Sequence, residues 1–166
     1  HYTMEELMGE KEHPLFLVLE DLQDPGNMGT IFRTAEGAGV DGIFMSANCV
    51  DIYNPKTIRS TMGSIYRVPF VIAPDLQEVF AWFKKQRVRS YAAHLKGKGW
   101  YDEQSYVGGT AFLIGNEGNG LTDATAGQAD CLIRIPMEGQ LESLNAGVAA
   151  AILMYEASRQ RRKEYK

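Results

Sequence analysis

The sequence predicts an α/β fold, a mostly parallel sheet of about six strands with helices on both faces. Three observations point there. Short apolar runs such as "LFLVLE" (15–20) and "TAFLIG" (110–115) lack polar alternation, so they read as strands buried on both faces. Segments of helical periodicity separate these runs. Glycine-bearing or polar loops follow strands at 21–30, 115–121 and 136–145. In a parallel sheet the carboxyl ends of the strands gather such loops into one site.

The elements follow in order. "YTMEELMGEKEHP" reads as a short helix and a linker ending at Pro14, and "LFLVLE" as the first strand. "MGTIFRTAEGAG" is the next helix. Ile31, Ala35 and Ala38 recur at i, i+4, i+7, and Arg33, about 200° from Ile31 at about 100° per residue, faces away from that stripe. "GIFMS" (42–46) is a strand, "NPKTIRSTMGS" a short helix begun after Pro55, and "RVPFVI" (67–72) a third strand. Asp75 caps "LQEVFAWFKKQ", in which Leu76, Val79, Phe80 and Phe83 form the buried stripe. "RSYAAHL" (89–95), "TAFLIG" and "CLIRIPM" (131–137) complete the strands, with "KGKGWYDEQSYVGG" as loop. A long helix runs from Leu144 to about Arg162, and its alanine-rich middle permits close approach of another helix.

Composition bounds the function. The chain has 166 residues, 45% of them hydrophobic, enough for one domain with a real core. No apolar run reaches membrane-spanning length, and no signal peptide is recognisable. Cys49 and Cys131 lie far apart without metal-ligand spacing and read as ordinary thiols of a reducing, cytoplasmic compartment; no metal is expected. A net charge of −4 does not favour a nucleic-acid partner. Two basic clusters partly offset it: the tail "RQRRKEYK", and Lys84, Lys85, Arg87 and Arg89. Both also suit helix C-termini, where cations complement the dipole.

Three stretches can carry chemistry. In "DPGNMGTIFRTAEGAG", Gly26 and Gly29 allow close packing and Asn27 can cap the following helix; taken alone, a helix start with a solvated arginine explains this stretch better than a site does. "GNEGNGL" (115–121) places three glycines around Glu117. It is neither of the common nucleotide loops, its order being G-x-x-G-x-G rather than G-x-G-x-x-G. It serves either as a plain turn or as a cradle whose amides meet the polar edge of a ligand. In "IPMEGQLESLN", Pro136 ends a strand, Gly139 allows a sharp bend, Ser143 is placed to cap the last helix, and Asn145 can face the same pocket.

Taken together and in this order, the three stretches resemble the motifs of the SpoU/TrmH-type RNA ribose methyltransferases of the SPOUT superfamily. The likeness runs from Leu15 to Arg162. Asn27, Gly29, Arg33 and Gly39 match the first motif, "IGNEGNGL" the second, and "IPMEGQLESLNAGVAAAILMYEA" the third. Ala146-Gly147 departs from the Val-Ser or Val-Ala of many members.

The resemblance implies a deep C-terminal trefoil knot and S-adenosylmethionine bound mainly by backbone. The matching cofactor residues are Ile114, Gly115, Asn116, Ile135, Met137, Ser143 and Leu144, with His94 and Leu95 closing over the adenine side. It implies methyl transfer to a ribose 2′-hydroxyl of structured RNA, ribosomal RNA being favoured over transfer RNA. Arg33 would then be catalytic, in a polar setting of Asn27, Glu117, Ser143 and Asn145. A guanidinium that stays protonated suits phosphate binding and alkoxide stabilisation better than proton abstraction. The resemblance also implies a homodimer with its site at the subunit interface. Residues 1–14 would be a linker or the remnant of an upstream RNA-binding domain, and 15–166 the catalytic domain. The competing expectations are an RNA-binding or ribosome-assembly protein that keeps the fold without turnover, and an unrelated, unknotted nucleotide-binding enzyme.

Overall fold

A computed structural model describes residues 2–166. His1, the first residue of the 1–14 segment, lies outside the described residues. The strands are β1 (Leu15–Leu19), β2 (Gly42–Ser46), β3 (Phe70–Ala73), β4 (Arg89–Ala93), β5 (Gly99–Trp100), β6 (Thr110–Ile114) and β7 (Cys131–Arg134). They form one seven-stranded sheet in the order β3-β2-β1-β6-β4-β7-β5, and every pairing is parallel. The expected six strands become seven because β5 lies in the stretch read as loop. With only two residues it carries too little pattern to be seen in sequence, and it is held by register against Ile133 and Arg134.

The helices are α1 (Met4–Met8), α2 (Pro25–Ala38), α3 (Pro55–Ser60), α4 (Leu76–Lys85), α5 (Asp123–Gln128) and α6 (Ala146–Tyr165). They cover both faces, as the doubly apolar strands require. Leu15, Leu17, Leu19, Ile43, Phe112 and Ile114 point to one side and pack with α2 and α6. Phe16, Val18, Phe44, Ala111 and Leu113 point to the other and pack with Leu7 of α1 and the Val79–Phe83 stripe of α4. Phe16, Phe44 and Phe83 are fully or nearly fully buried there, with ring centroids 5.3–5.9 Å apart. Among the described residues no helix is long and apolar enough to cross a membrane.

Several boundaries move for local reasons. α2 begins at Pro25 rather than Met28, because Asp24 is the N-cap: its carboxylate accepts from the Gly26 N–H at 2.7 Å, and proline is well suited to the first helical position. Asn27 is therefore inside the first turn and not a cap. α6 is capped by Asn145, which accepts from Val148 N–H at 3.2 Å, so Ser143 is not the cap and the helix starts two residues later than expected. The third strand starts at Phe70, since Arg67 is held by Glu36 and the Val68 N–H is taken by the Ser64 carbonyl. α5 was not anticipated; its six residues include Gly127 and little apolar periodicity.

α6 lies on α2, and the two run parallel. Near their starts, Gly147 of α6 sits against Asn27 and Thr30. Eight residues along α6, Tyr155 lies against Gly37. The close approach that the alanine-rich stretch permits is thus used within the chain, where Ala150 and Ala157 are fully buried. Both helix N-termini emerge at the carboxyl end of the sheet.

Candidate active site

A cavity of about 300 Å³ opens at the carboxyl ends of β4, β6 and β7. All nine residues expected to hold a cofactor line it: His94, Leu95, Ile114, Gly115, Asn116, Ile135, Met137, Ser143 and Leu144. β6 delivers the glycine turn directly. Gly115 is required because the turn folds back on it: a Cβ there would lie 2.2 Å from the Leu121 nitrogen and 2.3 Å from the Gly120 carbonyl carbon. Backbone bonds in both directions between Asn116 and Gly120, at 3.2 and 2.8 Å, close the turn. The Asn116 side chain is spent on the turn and on a tie to the loop after β1. Its Oδ1 accepts from the N–H groups of Gly118 and Asn119, and its Nδ2 donates to the Asp21 carbonyl.

The second wall is the 94–97 turn after β4. His94 N–H donates to the Ile133 carbonyl at 2.9 Å, and Lys96 N–H donates to His94 Nδ1 at 3.0 Å. Gly97 packs on the β7 backbone, where a Cβ would stand 2.6 Å from the Ile133 carbonyl carbon. The third wall is the segment after β7. Among the described residues the backbone of 137–144 makes no hydrogen bond within the chain, so its amides and carbonyls remain open to a ligand.

Of the expected catalytic residues, Glu117 makes the central tie. Its carboxylate accepts from Gln23 N–H at 3.0 Å and from Asp24 N–H at 2.7 Å, joining the turn after β6 to the loop after β1. Desolvation pushes its carboxyl up. The N–H donors of Gln23, Asp24 and its own backbone, with the Asn27 amide, outweigh that and hold it below the ordinary carboxylate range. Asn27 is only 8% exposed. Its Oδ1 and that of Asn145 flank Gly147, each 3.2 Å from where a Cβ would sit. The structure therefore brings Asn27 and Asn145 to one place beside the cavity with Glu117, and Glu117 and Ser143 line the cavity itself.

Arg33 stands apart. It lies six residues along α2 from Asn27, about 9 Å up the helix axis. It is exposed, does not line the cavity, and among the described residues makes no hydrogen bond or ion pair. Its guanidinium is free to meet a ligand arriving from solvent.

Two charged lining residues escaped the sequence reading, Arg134 and Glu142. Arg134 directly precedes the third motif and lies over the Trp100 ring at 5.9 Å, whereas Glu142 lies within that motif. For Arg134 the signal is the polar break at the end of an otherwise apolar strand. Glu20 was also missed. It is 7% exposed and accepts from Thr122 N–H at 2.7 Å and from the Thr125 hydroxyl, so it fastens the exit of the glycine turn to the end of β1.

Comparison with known proteins agrees with this geometry. Residues 14–155 match the model of the SpoU rRNA Methylase family. The chain is 38% identical over 139 residues to the 23S rRNA (guanosine(2553)-2′-O)-methyltransferase of Bacillus subtilis (strain 168), covering 84% of this chain and 56% of that one. It is 34% identical over 166 residues to the tRNA (guanosine(18)-2′-O)-methyltransferase of Thermus thermophilus, covering 96% of this chain and 82% of that one. The crystal structure of the SpoU methyltransferase AviRb from Streptomyces viridochromogenes, in complex with the cofactor AdoMet, superposes with a TM-score of 0.86 at 34% identity. The match covers 92% of this chain and 59% of that one. The chain thus spans little more than half the length of the Bacillus and Streptomyces proteins.

Proposed function

The chain belongs to the SpoU rRNA methylase family, and from that premise we propose that it transfers a methyl group from S-adenosylmethionine to a ribose 2′-hydroxyl of structured RNA. The observation that carries the proposal is the convergence of three loops, separate in sequence, on one cavity: Glu117 ties the first two, and Asn27 and Asn145 meet at Gly147. Relatives act on both ribosomal and transfer RNA by name. We favour ribosomal RNA as the substrate.

The residues present fit the cofactor. The cavity is of nucleoside scale, within the usual range for small-molecule sites. Its walls are the apolar side chains of Leu95, Ile114, Ile135 and Leu144, together with the open backbone of 137–144. Apolar walls suit a purine face, and free amides and carbonyls suit its polar edge. S-adenosylmethionine supplies a methyl group on a sulfonium, activated for in-line displacement. The chain's own task is to hold the sulfonium and to bring the ribose oxygen into line, and positioning of this kind can supply about 7–11 kcal/mol.

Arg33 is assigned to the RNA side. Its exposed guanidinium would bind a phosphate next to the target nucleotide and stabilise negative charge developing on the ribose oxygen. Proton removal is left to another acceptor, because a guanidinium stays protonated near neutral pH. Asn27, Glu117, Ser143 and Asn145 orient the polar side of the site.

Three further features belong to the proposal. The segment after β7 returns past the ends of β4 and β6 into α6, whose Gly147 meets α2, a course that supports threading as a trefoil knot. Val148 and Tyr155 of α6 are exposed at 46% and 47%, a stripe suited to a second copy of the chain in a homodimer. The reaction takes place in the cytoplasm, where Cys49 and Cys131 remain thiols.

The test is incubation of the chain with S-adenosylmethionine carrying a labelled methyl group and with total RNA, followed by mass-spectrometric mapping of 2′-O-methyl sites. Label in a ribose methyl of one RNA position is expected. No detectable cofactor binding by calorimetry, with no transfer to any RNA, would favour a fold retained for RNA binding alone.

A further inference from the structure

Residues 52–68 form a continuous outer edge along α2. Two anchors fix it. Ser60 packs on Gly29, where a Cβ would lie 2.2 Å from the Ser60 Cβ, and the Ser64 hydroxyl donates to Glu36 at 2.7 Å. Gly29, Arg33 and Glu36 are spaced i, i+4, i+7 and share one face of α2. Arg33 therefore sits between the two anchors, directly beside the turn at 61–63.

The segment has two sides. Ile52, Thr57, Thr61, Ser64, Ile65 and Val68 are buried. Tyr53, Lys56, Arg59, Met62 and Tyr66 are exposed and recur every three or four residues. Large apolar groups dominate this outward set: Tyr66 is 75%, Met62 69% and Tyr53 56% exposed. Met62 is held outward at a φ of 51°, a left-handed conformation that costs a non-glycine residue energy and tends to persist at functional positions. The one carboxylate on the shared face of α2, Glu36, is neutralised by Arg67. Arg33, Lys56 and Arg59 are thus left as positive charges on a chain whose net charge is −4.

From this arrangement we infer that the outer edge formed by Tyr53, Lys56, Arg59, Met62 and Tyr66 is the RNA-docking surface of the site, taking single-stranded nucleotides that flank the methylated residue. Cations flanked by exposed aromatic rings, here Lys56 and Arg59 between Tyr53 and Tyr66, are the combination that single strands need. The charges follow the phosphates, and each ring offers a face on which any base can stack. Arg33 lies at the inner margin of this edge, so a strand lying along it would place one phosphate at Arg33 and the neighbouring ribose toward the N-terminus of α2. The inference rests on the methyl-transfer reading above and adds to it where the RNA lies.

The test uses the whole chain and a fluorescein-labelled, unstructured oligoribonucleotide of mixed sequence, followed by fluorescence anisotropy across a salt series. Tyr66→Ala should weaken binding about 5- to 150-fold, the loss expected for one stacked base. Arg59→Ala should lower the slope of log affinity against log salt by about 0.7, the value for one phosphate contact on a single strand. Calorimetry with S-adenosylmethionine should give the parent affinity in both variants, which separates a lost RNA contact from a misfolded chain. Parent-like RNA binding and salt slope in both variants would overturn the inference and leave the proposed reaction standing. A change of sedimentation coefficient in Tyr66→Ala would also overturn it, because the edge would then be a contact between copies of the chain. Failure of the parent chain to bind S-adenosylmethionine would instead count against the proposed reaction.

Discussion

Gly115→Ala should open the glycine turn while leaving the sheet folded. The added methyl would stand 2.2 Å from the Leu121 nitrogen, 2.3 Å from the Gly120 carbonyl carbon and 2.7 Å from the Gly120 oxygen. All three are backbone atoms, so no side chain can rotate away and the turn itself must move. The reciprocal bonds between Asn116 and Gly120, at 3.2 and 2.8 Å, are the first to be lost. Two backbone hydrogen bonds at a net ~0.5–1.5 kcal/mol each amount to about 1–3 kcal/mol. If the closed turn is the binding-competent form, that deficit appears as a loss of affinity for S-adenosylmethionine of about 5- to 150-fold. Calorimetric titration measures it, and circular dichroism with thermal melting checks the fold. An alanine variant that binds with parent affinity would refute the reasoning, because the turn would then be shown not to depend on the approach of Gly120 and Leu121 to residue 115.

Three other outcomes are expected. Arg33→Ala should lower methyl transfer by about 10²–10³ with cofactor affinity unchanged, since Arg33 lies outside the cavity; single-turnover assays with calorimetry measure both. Glu117 has a folded-state pKa below its unfolded one, so its stabilising contribution is complete above the unfolded value of about 4.3 and is lost as pH falls through the folded one. Denaturant midpoints of the parent chain should therefore decline on acidification through that window, and those of Glu117→Gln should decline less. Gly29→Ala would set a methyl 2.2 Å from the Ser60 Cβ and 2.5 Å from its carbonyl oxygen, and should cost ~1–3 kcal/mol of overpacking in urea melts.

What could be read from the sequence was what leaves a dense local signal. β1, β2 and β6 carry unbroken apolar runs and were found within a residue of their bounds. The stripe of α4 was equally plain. β5 and α5 were not, because two strand residues and six weakly apolar helix residues hold position through neighbours far away in sequence. Caps were misjudged for a related reason. Asn27 and Ser143 have the chemistry of caps, but Pro25 fixes the start of α2 two residues before Asn27, and Asn145 is better placed at the start of α6. Both displaced residues were thereby left available to the site. The nine cavity residues came through motif resemblance. Arg134 and Glu20 lie outside the motifs, and Glu142, though inside the third, is one of several polar residues in a loop; all three stand out only once the strand ends are assembled.

The far end of α6 has a consequence of its own. The Arg161 guanidinium donates to the carbonyls of His13, Pro14, Tyr106 and Gly108, at 2.7 to 3.2 Å, and the Tyr165 ring stacks on His13. The bond to His13 spans a sequence separation of 148 residues. During synthesis the entrance to the first strand thus waits, incompletely satisfied, until nearly the last helical turn leaves the ribosome. Such late, long-range closure slows folding, and a chain truncated before Arg161 would expose that unfinished seam to proteases.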